Sequence, residues 1–90
     1  MSDATRTVVV ASAVGLHARP AGIFVKEVTA SGHKVSISKA GGASVDAASI
    51  LSVISLGVCH GDEVTLTVSG DDPESVADRL ESLLLTDHDS

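Results

Sequence analysis

The sequence predicts an α+β domain in which helices cover one face of an antiparallel sheet. Strand-like and helix-like segments follow one another in the order β-α-β-β-α-β-α. The strand-like segments alternate apolar and polar residues, which is typical of antiparallel strands with one wet face. With 90 residues, 43% of them hydrophobic, the chain suits a single domain spanning 1–90, with residues 1–4 and 86–90 expected to be frayed.

The first half of the chain supplies three predicted strands and one helix. Thr5–Ala11 is short and rich in β-branched residues, which favours a strand. Ala18–Ala30 predicts a helix because its apolar residues recur at helical spacing on one face, as Ala21, Phe24, Val25 and Val28. Lys34–Lys39 alternates as a strand, and Ala43–Asp46 returns as a short antiparallel partner after a glycine turn.

The second half supplies two helices and one strand. The periodicity of Ser49–Leu56 fits a helix or a strand, and we favour a short helix because Gly57 would end it. Glu63–Ser69 alternates as a strand. Asp72 and the proline after it suit the N-cap and first position of a helix, predicted over Pro73–Leu85.

Composition excludes several classes of function. The formal net charge of −6 and the single aromatic residue, Phe24, disfavour binding to nucleic acids and to anionic membranes. No apolar run is long enough to cross a membrane, so no membrane insertion is expected. Cys59 is the only cysteine and cannot form an intrachain disulfide, which fits the reducing cytoplasm.

The most informative segment is Val14–Gly22, which reads VGLHARPAG. It places His17 where a strand gives way to the first helix. If His17 is the N-cap, the backbone N–H groups of Ala18 and Arg19 have no intrahelical acceptor, and the helix dipole adds positive potential there. Gly15 permits the sharp entry or close approach that such a turn needs. The segment therefore predicts an anion site at the start of the helix.

Two side chains of this segment carry suitable chemistry. The imidazole of His17 is a nucleophile when neutral, a form that is abundant near neutral pH. Arg19 can contact phosphate oxygens with its planar guanidinium and neutralise charge during phosphoryl transfer. The segment also lies in the cationic half of the chain, since residues 1–45 hold five Lys or Arg and two Asp or Glu. Together these features predict a site that holds and passes on a phosphoryl group.

Gly15–Ala21 resembles the phosphorylation motif of the HPr family, the histidine-containing phosphocarriers of the bacterial phosphoenolpyruvate-dependent sugar phosphotransferase system. Ser49–Leu51 together with Ser55–Gly57 is similar to the regulatory-serine segment of that family, and the likeness extends over the whole chain. The resemblance implies an open-faced β-sandwich of four antiparallel strands and three helices. It also implies a monomeric carrier without a cofactor, rather than an enzyme with turnover of its own.

The resemblance further implies a role for each motif residue. His17 would accept a phosphoryl group on Nδ1 from phosphorylated enzyme I and donate it to the A domain of a sugar-specific permease complex. Arg19 would steady the group, with the backbone of Ala18 and Arg19 binding the phosphate. Ser49 would be the target of HPr kinase/phosphorylase. Partners would dock on an apolar patch formed by Ile50, Leu51 and Ile54.

Other interpretations remain open at this point. The chain could be a regulatory module of the same family that acts through Ser49 and the apolar patch, and Ser49 could equally be a plain helix cap. Some of the patch residues could belong to the core. A small metal or anion chaperone is a third possibility, although the remaining histidines and Cys59 lack the spacing of metal ligands, which favours structural or surface roles for His33, His60 and His88.

Overall fold

The computed structural model describes residues 2–11, 15–16 and 18–86. Their elements follow the order predicted from the sequence. They are β1 (Ser2–Val9), α1 (Ala18–Ser31), β2 (Lys34–Lys39), β3 (Val45–Asp46), α2 (Ile50–Ser55), β4 (Glu63–Gly70) and α3 (Pro73–Leu84).

The four strands form one antiparallel sheet in the order β1-β4-β2-β3. The central strand β4 pairs with β1 on one side and with β2 on the other. On β4 the buried side chains of Val64, Leu66 and Val68 alternate with partly exposed Thr65 and Thr67. This alternation confirms that the sheet has one face under the helices and one open face.

The core between sheet and helices is aliphatic apart from one ring. Phe24 of α1 is 1% exposed and is among the largest fully buried side chains. Val35 and Ile37 of β2 and Leu80 of α3 are buried in the same apolar cluster. Of the other core positions predicted on α1, Ala21 and Val28 are buried, whereas Val25 is only partly buried.

β1 differs from its predicted bounds of Thr5–Ala11. Ser2–Val9 pairs residue for residue with the whole length of β4, so residues 2–4, expected to be frayed, belong to the sheet. Val10 and Ala11 leave the ladder because their backbone groups bond elsewhere, to the loop before β4 and to the end of α3. Pairing with β4 therefore sets both ends of the strand.

Two smaller expectations also need correction. β3 contains only Val45 and Asp46 rather than the whole of Ala43–Asp46, because only these two residues pair with β2. Asp72 does precede α3 as predicted, but its backbone is left-handed (φ 48°) and its side chain makes no capping hydrogen bond. A capping side chain ordinarily comes from a residue with extended backbone.

Candidate functional site

The chain enters α1 across the backbone of the loop that follows α2. Gly15 has a φ of +71°, and a Cβ atom there would lie 2.2 Å from the carbonyl oxygen of Val58 and 2.7 Å from the Cα of Cys59. The N–H of Leu16 donates to the same Val58 oxygen at 3.0 Å. Only glycine allows this approach, which confirms the role expected for Gly15. The contact fixes the chain immediately before position 17.

The residues that pack the start of α1 against the core are apolar. Leu16 is 1% exposed, and Pro20, in the first turn of α1, is also buried. Both residues line a small cavity with Phe24 and with apolar residues at the end of α3. Leu16 and Pro20 therefore hold the start of α1 against the core.

The first turn of α1 contains the groups that the sequence analysis expects to bind an anion. The helix begins at Ala18, so the N–H groups of Ala18 and Arg19 lack intrahelical acceptors. The Arg19 side chain is exposed and takes part in none of the ion pairs found within the described ranges. The first turn contains no acidic residue that would compete for these groups. His17, the predicted acceptor, lies outside the described residues.

The helix α2 presents an apolar surface next to this entry. Leu51 is 77% exposed, and Ile50 and Ile54 are each 37% exposed, whereas Val53 between them is fully buried. α2 contacts α1, and its last turn leads directly into the Val58 segment that holds Leu16. The three residues expected to form a docking patch are therefore on the surface rather than in the core.

Ser49 is the N-cap of α2. Its backbone is extended, and its hydroxyl accepts a hydrogen bond from the N–H of Ser52 at 3.3 Å. Its carbonyl oxygen accepts from the N–H of Val53 at 3.0 Å. The structural interpretation of Ser49 as a helix cap is thus correct, and the partly exposed hydroxyl stands at the same end of α2 as Ile50.

The sequence analysis did not identify a charged pair behind the entry to α1. The Asp62 carboxylate accepts from the N–H of Cys59 at 2.8 Å and pairs with the Lys39 ammonium at 3.2 Å. The Cys59 N–H, and secondarily Lys39, lower the pKa of Asp62 below its ordinary value. Because Lys39 and Asp62 come from β2 and from the loop before β4, no local sequence pattern could have paired them.

Other titratable groups lie apart from this entry. The two ring nitrogens of His33 face the carbonyl oxygens of Ser31 (2.8 Å from Nδ1) and Asp71, and these contacts raise its pKa, that to Asp71 most. Arg6 of β1 pairs with acidic residues of α3. Among the described residues no group of histidine, cysteine and carboxylate side chains could hold a metal ion. His88 lies outside the described residues.

The sequence and the fold match those of known phosphocarriers. A family model described as PTS HPr component phosphorylation site matches residues 4–85. The chain is 47% identical over 81 residues to phosphocarrier protein HPr of Streptomyces coelicolor, covering 90% of this chain and 87% of that protein. The crystal structure of HPr from Bacillus anthracis superposes with a TM-score of 0.87 at 32% identity, covering 93% of this chain and 99% of that one.

A further relative bears on the regulatory alternative. The HPr-like protein Crh of Bacillus subtilis is 41% identical over 66 residues, covering 73% of this chain and 76% of that protein. This match is shorter and lower in identity than the match to the Streptomyces phosphocarrier. The comparisons therefore favour a phosphocarrier over the regulatory module. In the described part of the chain, no helix combines the length and the apolar character needed to cross a bilayer.

Proposed function

The chain belongs to the HPr family of the phosphotransferase system, and we propose that it carries a phosphoryl group on His17. It would receive the group from phosphorylated enzyme I and donate it to the A domain of a sugar-specific permease complex, in the cytoplasm. The observation that supports the proposal is the fixed entry to α1, where Gly15 and Leu16, the two residues before His17 in the sequence, lie against Val58.

The chemistry requires a nucleophile and a place for charge. Neutral Nδ1 of His17 attacks phosphorus, a new P–N bond forms, and the P–N bond to the histidine of enzyme I breaks. In the second transfer a histidine of the permease A domain attacks the same phosphorus, a new P–N bond forms there, and the P–N bond to His17 breaks, which leaves His17 neutral again. The N–H groups of Ala18 and Arg19, together with the Arg19 guanidinium, would stabilise the negative oxygens in both directions.

Docking on both partners would use the α2 patch of Ile50, Leu51 and Ile54. An exposed apolar surface of this kind suits an interface with other proteins. A phosphate on Ser49 would add negative charge beside this surface and weaken the docking of partners. We infer that Ser49 is the regulatory position, modified by an HPr kinase/phosphorylase, and that Ser49→Asp would slow transfer from enzyme I by raising KM.

The test is phosphorus NMR of the protein after incubation with phosphoenolpyruvate and enzyme I. We expect one phosphoryl signal that is labile in acid and stable in base, absent from His17→Ala. Arg19→Ala should keep the fold, because Arg19 is exposed, but should slow transfer by about tenfold or more. Equal labelling of His17→Ala and of the unsubstituted protein would refute the assignment of the site.

A further inference from the structure

One loop holds both ends of the segment that leads into α1. On one side of that segment, the N–H of Val10 donates to the carbonyl oxygen of Asp62 at 3.0 Å, and the N–H of Gly61 donates to Val10 at 2.9 Å. On the other side, Leu16 donates to Val58 at 3.0 Å. The loop from Val58 to Asp62 is therefore the common support of the chain before and after residues 12–14.

This supporting loop is itself braced by the charged pair Lys39–Asp62. Asp62 closes the loop twice, since its carboxylate accepts from the N–H of Cys59 at 2.8 Å and its own N–H donates to the Cys59 carbonyl at 3.0 Å. Lys39 pairs with that carboxylate and also donates to the carbonyl oxygen of Gly57 at 3.2 Å. One ammonium thus joins Gly57, the residue just before the loop, to Asp62, the last residue of the loop, and ties both to β2.

The brace is present throughout the pH range near neutrality. The Cys59 N–H and the Lys39 ammonium lower the pKa of Asp62, so the carboxylate is ionised well below pH 7. Lys39 is 40% and Asp62 33% exposed at the side chain, so solvent screens the attraction between them and its contribution to global stability is small. The Lys39–Asp62 pair therefore acts locally, by fixing the position of the Val58–Cys59 backbone.

We propose that Asp62 and Lys39 are positioning residues for phosphoryl transfer: by fixing the Val58–Cys59 backbone they hold Gly15 and Leu16, and so set the place of the residue that follows. The proposal rests on the proposed role of His17. Within the described residues, the hydrogen bonds and ion pairs of these two side chains go to each other and to backbone groups of Gly57 and Cys59. Each acts through the loop. The Val58 carbonyl oxygen accepts a hydrogen bond from the Leu16 N–H and lies against the Gly15 backbone, so a shift of Val58 displaces both residues.

The test compares kcat and KM for transfer from phosphorylated enzyme I. Misplacing a reacting group by a fraction of an ångström lowers the rate of the chemical step, so we expect Asp62→Ala and Lys39→Met each to lower kcat by about tenfold. KM should stay within about twofold of normal, because the docking patch on α2 is untouched. Asp62→Asn should recover much of kcat, since its amide oxygen can still accept the Cys59 N–H.

The control is another exposed ion pair between elements, formed by Glu27 on α1 and Arg79 on α3. Its side chains are 30% and 61% exposed, so Glu27→Gln removes a pair of comparable screening away from the loop. We expect normal kcat for this variant. The double variant Lys39→Met/Asp62→Ala should be no slower than the slower single variant, because both substitutions remove the same brace.

Amide hydrogen exchange provides a second measurement that does not depend on transfer. In Asp62→Ala the Leu16 and Gly61 amides should exchange at least about tenfold faster, and in Glu27→Gln they should not. If Asp62→Ala leaves either the exchange of the Leu16 amide or kcat unchanged, the positioning role is refuted. Labelling of His17 in the unsubstituted protein would still support the carrier function. If phosphoenolpyruvate and enzyme I leave the unsubstituted protein unlabelled, the carrier function fails and this role fails with it.

Discussion

The sharpest single test of the entry to α1 is the substitution Gly15→Ala. The new methyl group would lie 2.2 Å from the Val58 oxygen and 2.7 Å from the Cys59 Cα, far inside van der Waals contact. Both obstacles are backbone atoms and cannot rotate away as a side chain would. The substitution must therefore push the entry segment off its supporting loop.

The cost can be worked out from two contributions. A non-glycine residue at a φ of +71° is strained by about 1 kcal/mol. Moving the entry segment away from the loop also breaks the hydrogen bond from the Leu16 N–H to the Val58 oxygen. Leaving that donor unsatisfied costs about 1–3 kcal/mol. We expect the free energy of unfolding to fall by about 2–4 kcal/mol, out of a total of about 5–13 kcal/mol for 90 residues.

Urea unfolding followed by circular dichroism measures this loss, and Gly32→Ala is the matched control. Gly32 has nearly the same φ, +69°, but a Cβ there would meet no atom within 4 Å. The control should show only the strain of about 1 kcal/mol and should transfer phosphoryl groups normally. If both variants lose the same stability and retain the same transfer rate, the close contact with Val58 does not support the site.

Two further predictions concern other parts of the surface. Leu51→Ser should raise KM for enzyme I by about three- to tenfold with little change in the free energy of unfolding, because Leu51 is 77% exposed. Leu85→Ser, at a 55% exposed position after α3, is the control and should leave KM unchanged. Equal KM values for the two variants in steady-state transfer assays would contradict docking on the α2 patch. His33 has a pKa raised by the carbonyls of Asp71 and Ser31, so its protonation stabilises the fold fully below its ordinary pKa of 6.5, and this stabilisation is lost as pH rises through the folded-state pKa. Melting curves from about pH 6 to pH 9 should therefore show a decline in Tm that is reduced in His33→Gln, and parallel declines would exclude the mechanism.

The element order could be read from the sequence because each element carries its own local signal. The alternation of Glu63–Ser69 and the apolar spacing in Ala18–Ala30 depend on whether a residue faces the core, and burial follows that same period. The ends of β1 could not be read in this way. They are set by the length of β4 and by the competing bonds of Val10 and Ala11, which are contacts between distant parts of the chain.

The candidate site shows the same division. The sequence singled out Arg19 because the motif that contains it is a local property of the chain, and the resemblance to the HPr family implied the patch in which Leu51 is exposed. Gly15 was marked as a position of close approach, but its contact, Val58, is more than forty residues away. Lys39 and Asp62 were missed because an isolated lysine at a strand end and an aspartate in a loop are ordinary residues until the fold brings them together.

The burial of Phe24 as the single aromatic side chain has an optical consequence. With no tryptophan or tyrosine in the sequence, the protein contributes almost no near-ultraviolet emission of its own. Any tryptophan fluorescence change on mixing it with a partner must therefore arise from the partner. With a partner that contains tryptophan near its docking surface, encounter and release can then be timed by stopped flow without attaching a dye to either molecule.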